Sequence, residues 1–289
     1  IPQDYPRVII EAIQPQIDCG RFPIKRVVGE TVTVTADIYK EGHDKLAAVV
    51  KYRRLGESLW QESPMAFWDN DRWRGEFMVD ALGRWEYTVA AYAERYLSWV
   101  DEITKKNVPG ATLTSELLEG LVILKTSAAL APDEDQARMN GLVDAIAGVM
   151  AAGEQDGAID LATGSVMSSL MAQYPDRSEG AEFTPALEVV VTRPVARFAA
   201  WYEFFPRSQS TVPGRHGTLQ DSIRRLSEIK AMGFDVIYLP PIHPIGHAFR
   251  KGKNNSLVAE PGDVGSPWAI GNEHGGHMAL EPQLGTWDD

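Results

Sequence analysis

Cysteine is nearly absent from this sequence, since Cys19 is the only one among 289 residues. No disulfide can form within the chain, which favours a protein of the reducing cytoplasm. Long apolar runs are absent too, because none approaches the roughly 18 residues that a membrane-spanning helix needs. Residues 1–7 lack the basic region and apolar stretch of a secretory signal peptide. We therefore expect a cytoplasmic protein without a membrane partner.

Positive charge is also scarce. The chain has 28 Lys and Arg against 40 Asp and Glu, a formal net charge of −12. Residues 111–183 hold 12 of these acidic residues and 3 of the basic ones, so that segment alone contributes −9. An acidic chain is poorly suited to nucleic acid, and we expect no such partner. We interpret the acidic segment as a solvated helical face.

Residues 5–105 alternate apolar and polar side chains as β-strands do, most clearly at residues 32–38 and 85–91. The polar residues between Trp68 and Trp73 predict a hairpin turn. Several short strands over about 100 residues favour a β-sandwich. The aromatic residues of this region are interpreted as core side chains or, alternatively, as an exposed sugar-binding face.

Residues 111–183 change to the spacing of helices. Apolar clusters at residues 117–124 and 142–150 predict helices that face each other. Pro132, followed by three acidic residues, predicts a helix that begins at Asp133.

The segment 153–165 has the composition of a loop, with a short helix after it, and residues 186–192 predict a returning strand. We therefore expect a β-sandwich domain over residues 1–110 and 184–195, interrupted by a helical insert at 111–183. The apolar stripes of the insert must be buried somewhere, so we expect it to mediate dimerisation.

Residues 196–289 predict a different architecture. A strand is expected at 198–205, a helix capped by Thr218 with Asp221, and a buried strand at 236–239. The predicted helix carries an apolar stripe formed by Leu219, Ile223, Leu226 and Ile229. Strand, helix and strand in this order form one βαβ unit.

This last segment contains several long motifs in a fixed order. They are WYEFFPRS at 201–208, GFDVIYLPPIHPIG at 233–246, RKGKNN at 250–255, PWAIG at 267–271, GGH at 275–277 and LGT at 284–286. On these motifs the chain resembles the α-1,4-glucan:maltose-1-phosphate maltosyltransferases of glycoside hydrolase family 13, the α-amylase group. The similarity is looser before residue 196. Met278 departs from the family, which often has Asp after Gly-Gly-His.

The resemblance implies a multidomain enzyme: an N-terminal β-sandwich with a helical insert, followed at residues 196–289 by the first part of a (β/α)8 TIM barrel. It implies a homodimer that transfers a maltosyl unit from α-maltose-1-phosphate to the non-reducing end of an α-1,4-glucan or maltooligosaccharide and releases phosphate. It implies no metal and no organic cofactor.

Retaining transfer at a sugar carbon needs a carboxylate nucleophile and a second carboxyl group that acts as acid and base. By the resemblance, both lie beyond residue 289, so we expect no catalytic residue in this chain and an inactive fragment. Asp288 and Asp289 are adjacent and are not candidates for the pair.

The resemblance assigns Lys251 to binding of the phosphorylated donor. Arg250 and Lys253 belong to the same basic run, which by itself is as consistent with a solvated loop. Asn254 and Asn255 bond sugar hydroxyls or build the loop.

Histidines offer little support for a metal. His274 and His277 have a spacing of three residues, but no third ligand stands out. His243 lines the site or holds the loop. The alternatives to the maltosyltransferase are a non-catalytic module for glucan binding or dimerisation and another family 13 enzyme, an α-amylase or a branching enzyme.

Overall fold

The computed structural model describes residues 7–289. The chain divides into two compact units, of which the first ends at Arg193 and the second runs from Pro194 to Asp289. Except for Arg7, the residues used in the signal-peptide prediction lie outside the described part. Within residues 7–289, no helix is long and apolar enough to cross a membrane.

The first unit is built around a nine-stranded mixed sheet. Its strands follow one another in the order β1-β3-β6-β5-β4-β7-β9-β2, and β8 pairs with β7. The strands are β1 Val8–Gln14, β2 Ile24–Val27, β3 Thr31–Lys40, β4 Leu46–Arg54, β5 Gln61–Asp69, β6 Arg72–Met78, β7 Gly83–Ala93, β8 Ala181–Glu182 and β9 Leu187–Thr192. Only β2 and β9 pair in parallel within this sheet.

Strand β5 joins the two halves of the sheet, because its first part pairs with β4 and its last part with β6. The apolar faces of both halves share one core. Phe77 of β6 stacks on Tyr52 of β4 with ring centroids 4.6 Å apart and lies 5.6 Å from Tyr87 of β7. The predicted alternations at residues 32–38 and 85–91 are confirmed, since their apolar members are all buried. This arrangement is compatible with the predicted sandwich.

Five helices follow β7 and have a second apolar core of their own. They are α1 Arg95–Lys106, α2 Thr114–Ala128, α3 Asp133–Ala151, α4 Gln155–Thr163 and α5 Ser165–Gln173. The predicted start of a helix at Asp133 is confirmed. The helices begin at Arg95, earlier than the sequence pattern indicated, because Tyr96, Trp99 and Ile103 form a buried helical stripe.

The prediction of a loop at residues 153–165 is wrong, because α4 occupies most of that segment. Ala158, Ile159 and Ala162 give α4 a narrow buried face. Small side chains and acidic neighbours made this face inconspicuous in the sequence.

The second unit begins with a βαβ arrangement. It contains β10 Trp201–Glu203, α6 Leu219–Ala231 and β11 Val236–Tyr238. The two strands pair in parallel, which is compatible with the first part of a barrel. Thr218 and Asp221 form the predicted capping box, in which each side chain bonds the other residue's backbone N–H.

Candidate functional site

The loop after β11 is held in a defined shape by its own backbone. The Gly246 N–H donates to Ala269 at 2.6 Å, and the Gly271 N–H donates to Pro244 at 2.8 Å. Ile245 and Ile270 form an isolated bridge next to these bonds. The start of the loop is therefore paired with a segment 25 residues later. The basic run at residues 250–255 lies between these two paired segments.

Arg250 stabilises this part of the loop by hydrogen bonds to its backbone. Its guanidinium donates to the carbonyl oxygens of Gly246 at 3.0 Å, Ile245 at 3.0 Å and Asp263 at 3.1 Å. A Cβ at Gly265 would lie 2.8 Å from the Arg250 Cγ, so the Arg250 stem occupies the space that a side chain would need. The charge of Arg250 therefore serves three backbone carbonyls of the loop.

Lys251 lines a small pocket in the same loop. The pocket measures about 210 Å³ and is lined by Lys251, Gly252, Lys253, Gly262, Asp263, Val264 and Gly265. Lys251 is half-buried and Lys253 is exposed. Neither ammonium group has a hydrogen-bond or ion-pair partner within residues 7–289.

The pocket favours an anionic ligand. Its lining residues include two lysines and one acidic residue, Asp263, whose carboxylate already accepts the Glu260 N–H at 2.8 Å. A Cβ at Gly252 would lie 2.4 Å from the Val258 carbonyl oxygen, so the backbone between the lysines passes close to the opposite strand of the loop. Unpaired ammonium groups on a fixed backbone suit the oxygens of a phosphate.

A second basic side chain, Arg207, lies in the same unit, and no individual role was predicted for it from the sequence. Arg207, within the WYEFFPRS motif, contacts the Nε2 of His216 through Nη1 at 2.8 Å. A guanidinium only donates hydrogen bonds, so His216 accepts at Nε2 and carries its proton at Nδ1. Burial, followed by the Arg207 charge, lowers the pKa of His216 below its ordinary value, which keeps the ring neutral.

The Arg207–His216 pair is incompletely satisfied. Arg207 Nη2 and His216 Nδ1 are buried and have no partner in the described chain. Burial lowers the pKa of Arg207, the nearby Glu281 carboxylate opposes that shift, and Arg250 adds to it. Arg207, Glu281 and Arg250 therefore influence one another electrostatically. In the sequence, only the WYEFFPRS motif marked Arg207 as a residue of interest.

The remaining candidates mostly hold the loop. His243 Nδ1 lies 3.0 Å from the Ala279 carbonyl oxygen. His247 contacts Glu273 at 3.0 Å and His274 lies 3.9 Å from the same carboxylate. No group of three or more possible metal ligands occurs in the described part of the chain.

Asp289 caps the last turn rather than facing a second carboxylate. It accepts the Thr286 N–H at 2.6 Å and the Gln220 amide at 2.9 Å. Asn254 and Asn255 both have positive φ, at 53° and 61°, and so build the turn after Lys253.

Comparison with known proteins agrees with the resemblance seen in the motifs. The family described as α-1,4-glucan:maltose-1-phosphate maltosyltransferase, domain N/S, matches residues 6–193. Proteins of that name from Chlorobaculum tepidum and Myxococcus xanthus are 44% and 45% identical to the chain, over 98% of its length. A third, from Rhodospirillum rubrum, is 42% identical over the same share.

The chain spans less than half of these relatives, 42% of the Chlorobaculum protein and 43% of the other two. The similarity nevertheless runs through both units, since it covers 98% of the chain. The chain therefore belongs to the α-1,4-glucan:maltose-1-phosphate maltosyltransferase family.

Proposed function

We propose that the protein containing this chain transfers maltosyl units from α-maltose-1-phosphate to the non-reducing ends of α-1,4-glucans. The observation that carries the proposal is the pocket at Lys251, with two unpaired lysines on a braced loop. It fits the phosphorylated donor that the names of the relatives specify.

The proposed reaction is a double displacement with retention of configuration. A carboxylate attacks the anomeric carbon of the donor, and the bond to the phosphate oxygen breaks with its electron pair on phosphate. The 4-hydroxyl of the acceptor then displaces the carboxylate while a second carboxylate takes its proton. Residues 7–289 contribute donor binding through Lys251, and both carboxylates belong to parts of the protein outside this chain.

Phosphate release tests the proposal. The complete protein, incubated with α-maltose-1-phosphate and maltotetraose, is expected to release phosphate in step with lengthening of the acceptor. Phosphate release with free maltose as the only sugar product would point to a hydrolase, and no release would contradict the proposal. The 289-residue chain alone is expected to release none.

The architecture proposed for this activity follows the segment boundaries predicted from the sequence. Residues 1–110 with 184–195 are proposed as the sandwich domain, 111–183 as the dimerising insert and 196–289 as the first part of the TIM barrel. Helix α1, Arg95–Lys106, lies within the first range but shares the apolar core of the insert. The parallel pairing of β10 and β11 supports the barrel. Cytoplasmic location is also proposed, because the chain has one cysteine and that cysteine is exposed and free.

The proposed homodimer rests on apolar side chains that the helices leave exposed. Leu118 and Val122, one turn apart on α2, are 54% and 64% exposed. We expect Val122→Glu to convert the dimer to a monomer, measured by sedimentation velocity. Leu59→Glu, at an 81% exposed position between β4 and β5, is the control and should leave the dimer intact. A dimer that survives Val122→Glu would contradict this interface.

A further inference from the structure

Trp68 occupies an irregular position in the β5–β6 hairpin. Phe67 pairs with Trp73 and Asp69 pairs with Arg72, so Trp68 is an extra residue with no partner on β6. An extra residue of this kind is a β-bulge, which redirects its side chain away from the regular pleat. Trp68 is 62% exposed.

The neighbouring aromatic residues do not need Trp68 for packing. Trp73 is 9% exposed and its indole N–H donates to the Ile38 carbonyl at 3.2 Å. Phe67 meets Trp73 edge to face, with ring centroids 5.9 Å apart. Of the two interpretations of these aromatic residues, the core applies to Trp73 and the exposed face to Trp68.

Trp68 stands between two open pockets. One of about 370 Å³ is lined by Asp37, Trp68, Asp69, Asn70 and Arg72. The other, of about 340 Å³, is lined by Ser63, Pro64, Ala66, Phe67, Trp68, Arg74, Gly75 and Glu76. The indole therefore forms a shared wall with polar side chains on both sides of it.

The charges around Trp68 are largely neutralised in pairs. Arg72 binds Asp37 through two hydrogen bonds of 2.5 and 3.1 Å. Arg74 binds Glu76 at 2.7 Å. Among the residues that line the two pockets, this pairing leaves Asp69 as the unpaired charge, which disfavours a nucleic acid or another anionic ligand.

Unused hydrogen-bonding groups remain at the turn. Within residues 7–289, the side chains of Asp69 and Asn70 and the Trp68 indole N–H make no hydrogen bond. They offer a carboxylate acceptor, an amide donor and acceptor, and a ring donor. A ligand that is neutral, rich in hydroxyl groups and carries an apolar face satisfies all of these together with the indole ring.

We propose that Trp68 and its two flanking pockets form a binding surface for α-1,4-glucan on the N-terminal unit. The C–H face of one glucose ring stacks on the indole, whose electron-rich face attracts such hydrogens. Hydroxyl groups of the adjoining glucose units bond Asp69 and Asn70 on one side and the Arg74–Glu76 pair on the other. The choice of glucan among neutral polyols rests on the proposed function.

Electrophoresis of the complete protein in native gels with and without soluble amylose tests this surface. We expect amylose to retard the wild type, and Trp68→Ala to weaken binding at least about tenfold, as loss of a central aromatic anchor does. Trp68→Phe should retain part of the binding. Phe22→Ala is the control, since Phe22 is an exposed aromatic residue of the same unit (50%) that lines neither pocket, and it should migrate as the wild type does.

Three results would overturn the surface: no retardation of the wild type, equal retardation of Trp68→Ala, or loss of the dimer in Trp68→Ala, which would make Trp68 a protein contact. Phosphate release with maltotetraose is measured on the same samples and separates the two proposals. Retardation that depends on Trp68 without phosphate release would contradict the proposed transfer and leave the glucan surface standing. Phosphate release without retardation that depends on Trp68 would support the proposed transfer and contradict the glucan surface.

Discussion

The two units differ in how they bury their apolar residues. Among the described residues 7–193 of the first unit, 20 buried residues form the core of the sheet and 16 form the core of the helices. In the second unit, apart from prolines, the buried apolar residues are five: Phe204, Ile229, Ile245, Leu280 and Leu284. The first unit is built mainly from contacts among its own elements, whereas the second relies on loop hydrogen bonds such as those of Arg250.

The apolar stripe of α6 illustrates the difference. The sequence predicts that its residues face a core, yet Ile223 is 50% exposed and Leu226 is 40% exposed. On β11, Ile237 and Tyr238 are 37% and 42% exposed. Strands and helices of a closed barrel bury these faces. We therefore expect the rest of the proposed barrel to cover them.

A Leu→Ala substitution in each unit should show the largest difference in the free energy of unfolding between the two units. Leu124 of α2 is fully buried, so Leu124→Ala should lower the free energy of unfolding by about 2–5 kcal/mol. Leu226→Ala should lower it by about 0.5 kcal/mol or less in the 289-residue chain. Urea titration followed by circular dichroism measures both. In the complete protein the loss at Leu226 should rise towards that at Leu124, and equal losses in the short chain would contradict the comparison.

The second unit should matter more for activity than for stability. Lys251→Ala should reduce kcat/KM for α-maltose-1-phosphate roughly 10- to 150-fold, because a charge-assisted hydrogen bond contributes about 1.5–3 kcal/mol. Lys253→Ala removes the same charge from the more exposed side chain and should cost much less. Melting temperatures check that both variants of the complete protein fold. Equal losses would indicate a diffuse basic field, and no loss at Lys251 would remove its proposed role.

Two glycines test how closely the helices of the first unit are packed. A Cβ at Gly120 would lie 2.2 Å from the Trp99 Cζ2, so Gly120→Ala should lower the free energy of unfolding by about 1–3 kcal/mol. Gly141 of α3 has nothing within 4 Å, so Gly141→Ala should raise it by up to about 1 kcal/mol. Chemical unfolding compares the two, and stabilisation by both would show that α1 and α2 are loosely packed.

The smallest expected effect is a pH dependence of the second unit. Burial and Arg207 lower the pKa of His216 below 6.5 in the folded state. Above pH 6.5 the ring is neutral in both states and contributes nothing. As the pH falls below 6.5, the unfolded chain binds the proton first, so the folded state loses stability until the pH falls through the folded pKa.

Replacement of His216 by Gln should remove this dependence, because an amide oxygen can accept from Arg207 without titrating. Melting curves between pH 7.5 and 5 measure it, and His43→Gln, at an exposed position in the first unit, is the control. An identical loss of stability at low pH in His216→Gln and the wild type would show that another group is responsible.

Sequence patterns predicted the elements that bury one regular face. The alternation at Val32, Val34 and Ile38 and the acidic start of α3 at Asp133 are of this kind. The apolar stripe of α1 was not recognised as helical in the sequence, because α1 begins two residues after the end of β7.

The roles of single side chains in the loop were less accessible. Arg250 and Lys251 look alike in sequence, and which one turns to the backbone depends on Asp263, 13 residues later. No pattern in the sequence indicates that Arg207 pairs with His216 across a turn. Contacts of this kind depend on tertiary geometry. The RKGKNN motif therefore located the site but did not show which basic side chain binds the backbone and which is free.

The most direct test of the proposed transfer is the chain length of its products. The complete protein is incubated with α-maltose-1-phosphate and maltotetraose, and the products are resolved by mass spectrometry. The account predicts a ladder in which each product is longer than the last by one maltosyl unit, with one phosphate released per step. Products that grow by single glucose units, free maltose without longer chains, or an unchanged acceptor would contradict it.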